Sequence, residues 1–577
     1  MDRSPPMYTA STAFLEALTE AGVSYIFGNF GSDHPALIEA IAEARAHGRR
    51  IPAIITCPNE MAGMSAAQGY AQVSGKPQAV IVHVECGTQS LAGAVHNAAK
   101  GRAPILVFAG ASPFTQEGEM RGSRNEFIQW IQDVPDQRSI VRGYMKYENE
   151  LRTGKNIKQM VHRSLQFAMS EPKGPVYLVG AREVMEEELA EAVSIDMAKW
   201  RPIAPAALPQ EGVEQLLAAF GQAKRPLVVT SYLGRNPDAV AQLVRFCENV
   251  GAGVHESVPS AMNFPHDHDL YLGNQWNEPH QNEALGEADC ILVIDSDVPW
   301  IPTISRPADG VPIFHIDVDP LKEKMPLWYI GAEHSFRADA ATALGQLNEA
   351  LAARPFDGAR VAERRERFAA KSRARRERLA ALEIGNDGII TPEFLTAVVR
   401  RHVDDDTIVL NEGITSYPAV SNHMAMTRPG SIFASGGGSL GWNGGAAFGA
   451  KLAAPDKTVV ALTGDGSYMF SIPASVHWMA AKYGAPFLQV VYNNRGWKAP
   501  RFSTLGVHPD GYASRANNLD LSFDPPPDYA GIAKAAGGAH ARKVERPEEL
   551  EDAVAEAFRI VREEKRSAVL DVWLQHG

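Results

Sequence analysis

Cysteine is scarce in this 577-residue chain: Cys57, Cys86, Cys247 and Cys290 are widely spaced and none stands at metal-ligand spacing from another. They read as buried thiols of a reducing compartment, which excludes a disulfide framework and a cysteine zinc site. Basic excess is also missing, since 56 Lys and Arg face 68 Asp and Glu for a net charge of −12. That balance excludes general nucleic-acid binding, which needs a basic footprint. No apolar run approaches the roughly 18 residues that mark a membrane span. The first residues, MDRSPPMYTA, hold no apolar leader segment, and the expected location is the cytoplasm. What remains is globular, at 45% hydrophobic and 21% charged. It is too long for one core, and its length calls for about three or four domains.

One stretch organises the rest. Val459–Leu462 is an apolar run that reads as a buried strand, and Gly464-Asp465-Gly466 follows as a tight turn. Ser471 to Tyr483 is long enough for a helix, and Phe487–Tyr492 reads as a second buried strand ending at Asn493-Asn494. Twenty-six residues separate Gly466 from Asn493. A right-handed crossover of that length returns both strand ends to one edge of a parallel sheet. Asp465 and Asn494 would then share one hard cation through oxygen. Mg²⁺ suits such a site because it takes few protein ligands and keeps positions for phosphate oxygens. This stretch resembles the signature of thiamine diphosphate (ThDP) enzymes.

The first third alternates strands and helices: Ser24–Phe27, Ile51–Thr56, Val80–Val84 and Ile105–Ala109 read as strands. That pattern means a doubly wound parallel sheet, with ligand-binding residues at or just after strand ends. Phe27-Gly28-Asn29-Phe30-Gly31-Ser32, then Glu60 with Gly69-Tyr70-Ala71-Gln72, then His83-Val84-Glu85-Cys86-Gly87-Thr88, resemble the pyrimidine-binding domain of the acetolactate synthase and benzoylformate decarboxylase superfamily. The resemblance runs over nearly the whole chain. It implies that Glu60 is the carboxylate that meets the cofactor's pyrimidine ring, that Ser32 binds a substrate carboxylate, and that His83 acts on protons of the bound substrate. The plain alternatives are a helix N-terminal acid for Glu60, a helix cap for Ser32 and a satisfied strand-end histidine for His83. Glu85 and His34 depart from the family's local pattern.

A proline-rich linker, Arg201–Gln210, leads to a second α/β segment with strands at Pro226–Thr230, Cys290–Ile294 and Ile313–Val318. It resembles the superfamily's central domain. The stretch Asp295–Trp300 replaces the FAD-type pattern, so a structural domain without FAD is expected. His266 and His268 fall where the resemblance implies a second catalytic histidine, with His268 the better aligned. From Arg360 to Arg378 a basic, helical linker interleaves arginine with glutamate and reads as a solvated face. In the last third, Asn411-Glu412 after a strand resemble the first diphosphate contacts. In Gly436–Trp442 the resemblance implies that the Gly438 carbonyl holds the pyrimidine amino group and that Leu440 bends the cofactor. Asp465, Asn494 and the Gly496 carbonyl would complete the Mg²⁺ shell, with Gly464, Gly466 and Ser467 against the diphosphate. Ser503 to Pro527 reads as an irregular loop, either a lid or plain surface.

The expected architecture is α/β, with three doubly wound parallel-sheet domains: pyrimidine-binding (1–190), central (200–352) and, after a linker helix (353–385), diphosphate-binding (386–577). The expected function is ThDP- and Mg²⁺-dependent cleavage or formation of C–C bonds at 2-oxo acids, in at least a homodimer, with homotetramers common among relatives. A 2-hydroxyacyl-CoA lyase and a catalytically inactive regulatory subunit are the alternatives. The partners expected are a small 2-oxo acid or acyl-CoA, with no nucleic acid and no membrane.

Overall fold

The computed structural model describes residues 8–192, 194–385, 388–516 and 519–574. Residues 1–7, read above for a leader, lie outside them.

Mostly apolar strands of two to seven residues assemble three six-stranded sheets, every pairing parallel. The first contains β1 (Tyr25–Gly28), β2 (Ala53–Thr56), β3 (Gln78–Val82), β4 (Ile105–Ala111), β5 (Tyr147–Leu151) and β6 (Val176–Ala181), in the order β2-β1-β3-β4-β6-β5. The second contains β7 (Pro226–Thr230), β8 (Gly253–Ser257), β9 (Tyr271–Gln275), β10 (Cys290–Ile294), β11 (Ile313–Asp317) and β12 (His334–Arg337), in the order β12-β11-β10-β7-β8-β9. The third contains β13 (Thr407–Glu412), β14 (Ile432–Phe433), β15 (Thr458–Gly464), β16 (Leu488–Asn493), β17 (His540–Val544) and β18 (Ala568–Trp573), in the order β14-β13-β15-β16-β18-β17. Strands buried along their whole length, such as β3, β15 and β16, are covered by helices on both faces, as all-parallel sheets require.

The first and third sheets share one strand order, and each reverses direction between its first and third strands. The crevice where open α/β sheets bind ligands therefore opens after β1 and β3 in one domain and after β13 and β15 in the other. In the central sheet the reversal lies between β7 and β10. Non-glycine residues with left-handed backbone sit just past three of these strands, at Val84 (φ 31), Asp295 (φ 46) and Ile414 (φ 52), and past the neighbouring β16, at Arg495 (φ 61). Such strain persists only where the surroundings over-determine it.

Small residues join the outer domains. The helices Glu60–Ser74 and Trp442–Ala453 cross at backbone contact. A Cβ on Gly69 would lie 2.2 Å from the Ala446 carbonyl oxygen, and one on Gly449 would lie 1.9 Å from that of Ala66. At the central switch point the contact is ionic. Arg102 of the first domain donates to both Asp297 oxygens, at 2.8 and 3.0 Å, and stacks over Tyr232. Lys322 pairs with Asp317 at 2.6 Å and Asp297 at 2.9 Å.

Local readings change in four places. Gly464-Asp465-Gly466 is no free turn, because Asp465 opens a short helix, Asp465–Phe470. The single helix expected from Ser471 to Tyr483 instead begins at Pro473, after Ile472 at φ 54. The segment expected to be irregular carries helices Lys498–Val507 and Tyr512–Ala516; residues 517–518 lie outside the described ones. Cys86 is exposed, unlike the other three cysteines.

Candidate active site

In the third domain the register sets Gly464 beside Tyr492, so Asp465 and Asn493-Asn494 leave adjacent strands together. Asp465 is buried; its Oδ1 accepts the Gly466 N–H at 2.9 Å and its Oδ2 the Gly496 N–H at 3.1 Å. Burial outweighs these amides and pushes the carboxyl up to about 6. Around it, Asn494 Oδ1 and Ser467 Oγ are buried with no hydrogen-bond partner. The strand bridge opposite Gly496 uses the Arg495 carbonyl and the Trp497 amide, leaving the Gly496 carbonyl outside that ladder. A buried carboxylate beside unpaired oxygens suits a hard cation and phosphate. Among the described residues no three of His, Cys, Asp and Glu gather as a metal cluster; one carboxylate with amide oxygens is a different donor set. Gly466 is fixed as glycine by Trp497, whose ring would lie 2.2 Å from a Cβ there.

The raised Asp465 carboxyl makes a pH prediction. Its folded value, about 6, lies above the ordinary 3.8. Its contribution to stability is therefore full below about pH 4 and is lost as pH rises through about 6. In protein free of metal and cofactor, Asp465→Asn should be more thermostable than the wild type at pH 8, by up to about 3 kcal/mol. The gap should shrink toward pH 5. Calorimetric melting at both pH values tests this, and a pH-independent gap would sink it.

Asn411 Oδ1 accepts the Gly413 N–H at 3.1 Å and shapes the turn after β13. Glu412 corrects an expectation. Its carboxylate is taken up by the Gly441, Trp442 and Asn443 amides at 2.8, 3.2 and 2.7 Å, which caps the Trp442–Ala453 helix. Burial pushes it up to about 7, and it anchors the glycine loop instead of facing a diphosphate. That loop is held from the first domain. Gly438 donates to His96 Nε2 at 3.0 Å, and Asn97 exchanges two bonds with the Ser439 backbone. Gly438 is exposed and Leu440 half-buried. Trp442 and Tyr468 are fully buried core.

In the first domain, Glu60 begins the Glu60–Ser74 helix and its Oε1 accepts the Asn29 side-chain amide at 2.8 Å. A Cβ on Gly87 would lie 3.1 Å from the same oxygen, so the Val84–Ser90 helix that follows β3 packs on the carboxylate. Ser32 caps nothing: the Pro35–Ala46 helix has no side-chain cap, and Ser32 Oγ is buried without a partner. His83 sits between β3 and the Val84–Ser90 helix, with Nδ1 2.6 Å from Asp33 Oδ1 and Nε2 3.1 Å from Gln132 Oε1. The bond to Asp33 raises its pKa against burial. Glu60, Ser32 and His83 thus gather at one switch point, and Asp465, Asn494 and Ser467 at the other. Each carboxylate's hydrogen bonds stay within its own domain.

His268 belongs to neither. It precedes β9, at the sheet edge opposite the crevice, and faces Glu248 at 3.4 Å, while the Gly358–Leu382 helix bonds its carbonyl through Ser372. Eleven residues past the end of β8, the sequence alone did not say which edge the loop had reached. Asp33, Gln132, His96 and Asn97 were missed because their partners lie 49 residues or more away.

The thiamine pyrophosphate enzyme family matches the chain in three blocks: its N-terminal TPP binding domain over 8–140, its central domain over 213–352 and its C-terminal TPP binding domain over 413–572. The chain is 26% identical to a benzoylformate decarboxylase of Pseudomonas aeruginosa, covering 96% of this chain and 97% of that one. It is 24% identical to an acetolactate synthase large subunit of Haemophilus influenzae (95% and 91% covered) and 24% identical to a 2-hydroxyacyl-CoA lyase of Arabidopsis thaliana (96% and 94%). Among solved structures, a ThDP-dependent 4-hydroxybenzoylformate decarboxylase of Rhodococcus jostii superposes with a TM-score of 0.78 at 21% identity, over 99% of this chain and all of that one.

Proposed function

Because this chain belongs to the thiamine pyrophosphate enzyme family, we propose that it is a ThDP- and Mg²⁺-dependent enzyme that breaks or makes C–C bonds at 2-oxo acids. The observation that supports this is the third-domain switch point, where a buried carboxylate stands with two unpartnered oxygens, a donor set that suits a cation and a diphosphate. Bound ThDP supplies a thiazolium carbon that adds to a carbonyl carbon once deprotonated.

The chain's own residues supply the rest. Asp465, Asn494 and the Gly496 carbonyl hold Mg²⁺, and Ser467 faces the diphosphate. Glu60 meets the pyrimidine ring and sets its protonation. Ser32 offers a free hydroxyl to the substrate carboxylate, and His83 moves protons on the substrate. The pyrimidine side and the diphosphate side lie on different domains, so the complete site takes a contribution from each. A second copy that pairs first domain with third would assemble it. Apolar side chains left exposed on both support this reading: Phe127, Trp130 and Ile131 on the first, Phe470, Phe502 and Val507 on the third. A homodimer is the minimum, with a tetramer of such dimers as the larger assembly proposed.

Decarboxylation, with or without carboligation, is preferred over 2-hydroxyacyl-CoA cleavage because much of the linker helix's positive charge is spent internally. Arg364 donates to the Val250 and Ala223 carbonyls, Lys371 pairs with Glu283 and Glu287, and Arg376 pairs with Asp269. Glu60, Asp465 and Asn494 are all present in the chain, which argues against an inactive subunit.

Protein loaded with ThDP and Mg²⁺ should release CO₂ from at least one member of a 2-oxo acid panel, followed by mass spectrometry with and without aldehyde acceptors. Cleavage of a 2-hydroxyacyl-CoA without CO₂ would replace this reading with the lyase. No turnover of either class at full cofactor occupancy would leave the regulatory subunit.

A further inference from the structure

We propose that Asp33, on the turn after β1, is a positioning residue that holds the His83 ring as a positively charged proton donor at the first domain's switch point. This rests on His83 serving the site proposed above; what is added is the chain Asp33–His83–Gln132 and the charge it fixes.

The ring is held from both sides. Asp33 is buried and spends its two oxygens on successive groups of the chain leaving β3: Oδ1 on His83 Nδ1 at 2.6 Å and Oδ2 on the Val84 N–H at 3.0 Å. Val84 is held there at φ 31, a conformation a β-branched residue resists. On the far side of the ring, Nε2 faces Gln132 Oε1 at 3.1 Å. With the Gln132 amide oxygen toward the ring, both acceptors are satisfied when both nitrogens carry protons. Gln132 Nε2 is buried without a partner, and with the amide turned the ring still donates Nδ1–H to Asp33. The buried Asp33 carboxylate at 2.6 Å is therefore what favours the charged ring. The backbone makes room for the pair. A Cβ on Gly31 would lie 2.1 Å from His83 Nδ1, and one on Gly110 would lie 1.9 Å from Asp33 Oδ2. Any side chain at either position would break the Asp33–His83 contact.

Other titratable groups surround the ring. His34 Nδ1 lies 2.9 Å from the same Asp33 oxygen and also accepts the Gly31 N–H at 3.1 Å. Glu60, on its own helix, adds negative field. On the helix His83 begins, Glu85 is engaged by Cys86 and Gln89. The His83 side chain is 25% exposed, whereas His34 is sealed, so the solvent-facing cation of the cluster is His83. Beside the unpartnered Ser32 hydroxyl it forms a receptor for an anionic oxygen, and for a carboxylate next to a carbonyl in particular.

The test is hydrogen exchange at the imidazole C2 position, read by peptide mass spectrometry, which titrates His34 and His83 separately. In the wild type the His83 midpoint should lie above the ordinary 6.5. Asp33→Asn, which keeps the shape and removes the charge, should lower it by at least about one pH unit. The alkaline limb of the pH profile for 2-oxo acid consumption should move with it. An unmoved His83 midpoint, or a shift confined to His34, would overturn the proposal. If Asp33→Asn does not fold, Gln132→Leu should lower the same midpoint, and no change there counts equally against it. If the midpoint moves as expected while His83→Asn turns over like the wild type, the catalytic role of His83 fails and the Asp33 ion pair stands.

Discussion

In Glu60→Gln, proton–deuterium exchange at the thiazolium carbon of bound ThDP should slow by about 10²–10⁴-fold, while the cofactor stays bound. The substitution keeps the side chain's shape, and its carbonyl oxygen can still accept the Asn29 amide that Glu60 Oε1 accepts at 2.8 Å. It removes the charge, and with it the means of stabilising a protonated pyrimidine ring. The competing view, that Glu60 merely complements the amino end of its helix, assigns it about 0.3–1 kcal/mol of stability. On that view the melting temperature would drop slightly and exchange would be untouched. Nuclear magnetic resonance of quenched samples separates the two, and unchanged exchange at full occupancy would remove Glu60 from the chemistry.

Asp465→Ala should weaken Mg²⁺-dependent ThDP binding by at least about a hundredfold, roughly 2.7 kcal/mol, as measured by titration calorimetry at pH 8. The fold should survive, because in the empty protein this carboxylate is a liability: burial raises it to about 6. Loss of affinity with retained or improved melting temperature is the signature of a ligand-holding charge. Loss of both would mean the Gly466 and Gly496 amides depend on Asp465 for their places. Normal affinity would refute the metal assignment.

The parallel sheets were legible because their strands are short apolar runs at crossover spacing, and Asp465 and Asn494 were legible because they stand one step beyond such runs. Side-chain direction was not. Glu412 ends an apolar strand as a binding residue would, yet its partners are amides 29 to 31 residues onward. That contact depends on where the next helix begins in space. The Asp33–His83 pair spans 50 residues, and the glycines that admit it, Gly31 and Gly110, look in sequence like ordinary turn and strand-end residues. His268 failed for a topological reason: a histidine before a parallel strand and one after it lie at opposite edges of the sheet. Periodicity reports burial; it does not report which buried group a polar atom will meet.

Arg102 has a consequence beyond the ion pairs it makes. It reaches from the first domain into the crevice where a sheet of the central domain's topology ordinarily receives a free ligand. There it is bidentate on Asp297 and stacked on Tyr232. The first domain therefore stands toward the second as a ligand on a leash. A tethered group of this kind presents itself at an effective concentration on the millimolar scale or above, so the translational entropy of docking is spent once, when the chain is made. Docking of the two domains is then an intramolecular equilibrium that dilution does not shift.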